Sequence, residues 1–151
     1  MMGELIRIYV TSFLGTLGFA LLLHAPKKSW LPASVIGGVS YTVYIALTGA
    51  GSHQAAAMFA AALVGSLLAQ FCARKMRMIA TIFITLSIVS LVPGLGLYRC
   101  MEHLGAGRNA LGLQAGVSAM IDIMMIALGV GVGGFVFRLI AARPWAVKGN
   151  G

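Results

Sequence analysis

Followed for its apolar and polar positions, the chain alternates long hydrophobic runs with short polar links. A helix needs about 20 apolar residues to cross the hydrocarbon of a bilayer. Five runs come close: residues 5–23, 33–49, 55–73, 78–92 with a broken continuation, and 113–140. The links read HAPKKSWLP, AGSHQ, RKMR and a longer GLGLYRCMEHLGAGRNALG. This pattern predicts an all-α integral membrane protein, a single transmembrane domain over residues 1–151. Five helices cross the bilayer in this reading, the fourth broken at Pro93-Gly94. The spacing suggests neither an internal repeat nor a second, soluble domain.

Composition sharpens the choice of solvent. The chain is 60% hydrophobic and 9% charged, where soluble domains carry about a quarter charged residues. So apolar a polypeptide cannot cover itself with polar surface, and lipid must face most of it. No cleaved leader is expected, because Glu4 and Arg7 open the first run and no small-residue cleavage site follows.

The net charge of +8 comes from eleven basic residues spread through the links. No stacking aromatics interleave them, so they read as topology signals and not as a nucleic-acid surface. With five crossings, one side holds Lys27, Lys28, Arg74, Lys75, Arg77, Arg138, Arg143 and Lys148. The other holds Arg7, Arg99 and Arg108 together with Glu4 and Glu102. Lys and Arg concentrate on the cytoplasmic side, which predicts the N-terminus out and the C-terminus in. Trp30 and Trp145 fall beside inside-facing cations, where amphipathic rings favour the headgroup layer. Cys72 and Cys100 lack metal spacing and read as incidental thiols. His24, His53 and His103 read as interfacial residues, and no cofactor is implied.

The helix faces carry two kinds of stripe. Ala57, Ala61, Gly65 and Ala69 recur every four residues, and Gly129 and Gly133 form a GxxxG. Lipid gives little drive for helices to associate, so small residues that allow close approach take over that task. These seams suit packing within the bundle or docking of a partner subunit. Gln114, Ser118 and Asp122 lie on one face of the last span, and Asp122 is the one acidic residue deep in a predicted span. An Asp at mid-helix costs about 2.5–3.5 kcal/mol to insert, so it should turn towards water or a partner. Two roles stay open for it: a proton-coupling or solute-path carboxylate, and a protonated or hydrogen-bonded residue that fixes packing. Tyr41, Tyr44 and Thr48, and likewise Thr81 and Thr85, align as hydroxyl stripes, which bond back to their own helices or line a polar path.

The stretch SLVPGLGLYR, residues 90–99, breaks the fourth run. Pro93 removes a backbone donor, and Gly94 and Gly96 free the backbone further. The run 78–92 rises only about 22 Å at 1.5 Å per residue, short of a hydrocarbon core of about 30 Å. Either the break lies at membrane depth, where many secondary transporters build solute sites, or the helix ends at Pro93 and an external loop with Arg99 and Glu102 follows.

VPGLGLY at 92–98 resembles the PGxxxY signature of the threonine/serine exporter family. The resemblance extends over nearly the whole chain, through the RKMR turn and IALGVGVG at 126–133, and is closest to the small five-span subunit that corresponds to the exporter's second half. The chain departs from the family at Ser90, where another proline is common, and at Arg99, where an aromatic or small residue is common. The resemblance implies a bacterial cytoplasmic-membrane protein that exports small hydrophilic metabolites, threonine and serine or dicarboxylates such as succinate, on an ion or proton gradient. It implies a larger five-span membrane subunit as partner in a hetero-oligomer. The odd span count and outward N-terminus fit such a partner, which would complete an inverted-topology pair. No GxxxxGK[ST] phosphate loop is present. The candidate solute-path residues are Pro93, Gly94, Gly96, Tyr98, Asp122, Ser118, Gln114 and Thr85. A non-transporting membrane scaffold is the alternative. An enzyme is the weakest reading, since no clustered carboxylates, His pairs or nucleophile–base pairs appear.

Overall fold

Each apolar run becomes a helix because lipid leaves backbone polar groups no partner except one another. The computed structural model describes residues 2–89, 91–92 and 94–142. Its elements are α1 Met2–Leu22, α2 Lys27–Gly49, α3 Gln54–Met76, α4 Ala80–Val89, α5 Gly94–Gly105 and α6 Asn109–Ala142, with no strand among the described residues. Pro93, Arg143, Trp145 and Lys148 lie outside the described residues.

Three helices, α2, α3 and α6, are long and apolar enough to cross a membrane. The pair α4 and α5, bent by 49°, passes the same test together. In α1 the apolar stretch Ile6–Leu22 is a shorter helix. The largest departures from the sequence pattern lie at the start of the second helix and after the fourth run. The second helix starts at Lys27 and not near Ala33, and it carries Pro32 inside it, in its second turn, where proline forgoes one backbone hydrogen bond. Ser29 Oγ donates to the Pro26 carbonyl at 2.8 Å and Trp30 Nε1 to that of Ala25 at 2.7 Å, which pins this first turn. The residues after Pro93, treated in sequence as a continuation or a loop, form a separate helix, α5.

Four helices end in the same way. The residue past the helix turns left-handed, and the next N–H reaches back five residues, as in a Schellman motif. Gly51 and Gly107 take that position after α2 and α5, with Ser52 N–H on the Leu47 carbonyl and Arg108 N–H on that of His103. His24 and Arg77 take it after α1 and α3, with Ala25 N–H on Ala20 and Met78 N–H on Ala73.

The core has two parts, one at each end of the bundle. Ala20, Ala33, Ile36, Ala69, Ala73, Phe83 and Leu86 join the ends that meet at the α1–α2 and α3–α4 turns. Met58, Ala61, Ala62, Leu91 and Ile126 form the other, with Val43 and Tyr44 against them. The first lies beside Lys27, Lys28, Arg74, Lys75 and Arg77, the second beside the α2–α3 turn.

Between α3 and α6 a glycine seam brings backbone against backbone. A Cβ added at Gly129 would lie 2.6 Å from the Phe59 carbonyl oxygen, and one at Gly133 2.9 Å from Ser66 Oγ. Residue numbers rise together along this seam, so the two helices run parallel. At its upper end Asp122 meets Gln54, the first residue of α3. Since α6 starts at Asn109, its first thirteen residues extend past the start of α3, by about 20 Å at 1.5 Å per residue. Against this extension packs α5. Leu104 sits over Gly112 and Cys100 over Gly116, which makes a helical hairpin standing above the α2–α3 turn.

Candidate functional site

The foot of that hairpin encloses a cavity of about 400 Å³ lined from four directions. The upper half of α2 contributes Tyr41 and Tyr44, and α3 contributes Gln54 and Met58. The break and the start of α5 contribute Leu91, Val92, Gly94, Leu95, Gly96 and Arg99, and α6 contributes Ala115, Ser118, Ala119 and Asp122. The volume falls within the range of about 300–1,000 Å³ usual for small-molecule sites.

Asp122 is the chemical centre of this cavity. Its residue is only 3% exposed, and Gln54 Nε2 donates to its Oδ2 at 2.6 Å. Tyr44 and Tyr41 line the cavity with Asp122, and the two tyrosine rings lie 5.9 Å apart, tilted by 42°. Arg99 lines the same cavity from α5 and is exposed. Among the described residues Asp122 and Arg99 form no ion pair with each other or with any other side chain. An acidic and a basic side chain thus line one small space without pairing.

Of the residues singled out in sequence, the structure brings together Gly94, Gly96, Ser118 and Asp122. Tyr98, on α5, is 65% exposed and does not line the cavity. Gln114 lies on the hairpin, exposed and outside the cavity. Thr85 lines a separate cavity of about 320 Å³ with Thr81, His24 and Pro26, near the basic end. Thr48 bonds back to the Tyr44 and Ile45 carbonyls, a structural role.

Sequence reasoning missed Gln54, which sits in a link and carries no periodic signal, and a polar stripe on α1. That stripe, Arg7, Thr11, Ser12 and Thr16, lines a crevice of about 520 Å³ between α1 and α4. Its spacing of four and five residues was the available signal. Tyr41 and Val92 line both this crevice and the Asp122 cavity, and so stand between them.

The family model described as "Threonine/Serine exporter, ThrE" matches residues 9–136, from α1 through the seam of α3 and α6. The chain belongs to the threonine/serine exporter family. No curated protein and no solved structure gave a match. Membership in this exporter family makes the protein a multi-pass membrane component of a transport system, and the bend between α4 and α5, the buried Asp122 and the cavity belong to a region inside the family match.

Proposed function

We propose that this exporter-family protein is one subunit of a secondary transporter and that the cavity around Asp122 is part of its solute path. The observation that carries the proposal is a nearly fully buried carboxyl group, Asp122, opening into a cavity of mixed polar and apolar lining beside the bend between α4 and α5. Lipid-facing bundles bury ionisable groups at a cost, and such groups mark solute or ion pathways. The cargo is a small hydrophilic metabolite: threonine, serine, or a dicarboxylate such as succinate.

The larger five-span subunit of the family is the proposed partner. Support comes from the hairpin, whose exposed apolar side chains include Leu95, Leu97, Met101, Leu104, Leu113 and Met120. It extends beyond the level of the α2–α3 turn, so part of this surface needs protein to cover it. The N-terminus lies outside and the C-terminus inside the bacterial cytoplasmic membrane, supported by the cations clustered at the α1–α2 and α3–α4 turns.

Efflux from cells loaded with threonine- and serine-containing peptides tests the proposal. Cells with this chain alone, the larger subunit alone, and both are compared for retained amino acids and dicarboxylates. Lower retention with the pair only is the expected result. Unchanged retention despite a co-purifying pair would leave the chain a membrane scaffold.

A further inference from the structure

Resting on the exporter reading above, we infer that the cavity at the foot of the hairpin recognises its solute through two opposite charges. The Asp122–Gln54 pair takes an ammonium group and Arg99 takes a carboxylate, so this chain selects small zwitterions over dicarboxylate anions.

The reasoning starts at Asp122. A carboxylate offers about four lone-pair sites, and the protein fills one with the neutral Gln54 amide at 2.6 Å. Burying the anion without a cation is costly. The cavity is the direction from which a cation can come, and an ammonium group supplies three donors in a compact head. The rings of Tyr41 and Tyr44 border the same space, and aromatic faces attract cations. Arg99 is the complement: its planar fork matches a carboxylate through two parallel hydrogen bonds, and no described side chain occupies it. Ser118 lines the wall as a further hydrogen-bonding group. A zwitterion satisfies both charges. A dicarboxylate placing one end on Arg99 would bring its second charge into the space next to Asp122, where like charges repel.

The test uses the wild-type pair reconstituted in lipid vesicles, with competition against labelled threonine read as the concentration for half-maximal inhibition. Serine should compete well. N-acetylthreonine, which lacks the ammonium group, threonine methyl ester, which lacks the carboxylate, and succinate should each compete at least about tenfold more weakly. In Asp122→Asn the discrimination against N-acetylthreonine should collapse while that against the methyl ester persists. Arg99→Gln should show the reverse. The solute-side comparison needs no variant, so it stands even if Asp122→Asn fails to fold.

Succinate competing as well as serine in the wild type would overturn the inference and leave the exporter reading intact. So would an Asp122→Asn protein that loses movement of every solute without a change in the threonine to N-acetylthreonine ratio, the mark of a coupling carboxylate. A wild-type pair that moves none of these solutes would overturn the exporter reading itself.

Discussion

Single residues act in this protein mainly through what they let approach. A Cβ at Gly129 would meet the backbone of α3, at 2.6 Å from the Phe59 carbonyl and 3.1 Å from the Leu63 nitrogen, whereas one at Gly131 meets nothing within 4 Å. Backbone cannot swing aside as a side chain can. Gly129→Ala should therefore force α6 away from α3 and cost about 1–3 kcal/mol, seen as a lower melting temperature of the purified chain, while Gly131→Ala leaves it nearly unchanged. Gln54 works by bonding. Gln54→Leu leaves the buried Asp122 carboxylate without its described donor, and a loss of about 1–3 kcal/mol is expected. Equal melting curves for Gln54→Leu and wild type would show that Asp122 finds another partner. The glycine was legible in the sequence because small residues four apart define a helix stripe. The glutamine was not, since a polar residue in a link looks like any solvated one.

At the scale of elements, the ends of the helices are set by four left-handed residues, of which two are not glycine. Arg77 has φ of 53° and His24 φ of 51°, a region that strains a side chain by roughly 1–2 kcal/mol. Arg77→Gly should relieve much of this and raise the melting temperature modestly, while Gly51→Ala, at φ of 85°, should lower it. Glycine appears at these turns on the hairpin side and a basic or imidazole side chain on the other. The second pattern is intelligible if that end needs cations at the membrane surface more than it needs an unstrained turn. The hairpin is the other element-scale feature. At Gly112 an added Cβ would lie 2.7 Å from Leu104 Cγ. Gly112→Leu should pry α5 from α6 and lower solute movement by the assembled pair, because Arg99 rides on α5. Unaltered movement in an assembled Gly112→Leu pair would mean that α5 does not form the cavity wall in the working transporter.

For the whole molecule, the decisive relation is the parallel register of α3 and α6. It puts both core clusters, the basic turns and the hairpin on a common axis, with the cations at one end and Arg99 and Arg108 at the other. In a protein with Cys72 and Cys100 replaced by serine, a cysteine at Met101 should react with a membrane-impermeant thiol reagent added to whole cells in the absence of the partner. A cysteine at Lys75 should react only after the membrane is opened. The opposite result would invert the proposed topology. Co-expression of the larger subunit should slow labelling at Met101, as the hairpin's apolar flank becomes covered.

The sequence by itself determined the solvent, the helical class, the basic end and the resemblance to its family, because these depend on composition and on spacing along one helix. It also marked Asp122 as costly and residues 90–99 as a break. The tertiary structure alone decided the level of Asp122, which lies beside the first residue of α3 and not at the middle of the bundle. That follows from how far α6 overshoots α3, a register between helices that no single-helix period encodes. The same register joined Gln54, Arg99 and Ser118 to Asp122 around one cavity and left Tyr98 outside it. Residues from four separate elements meet there only once the glycine seam has fixed how the helices slide against each other.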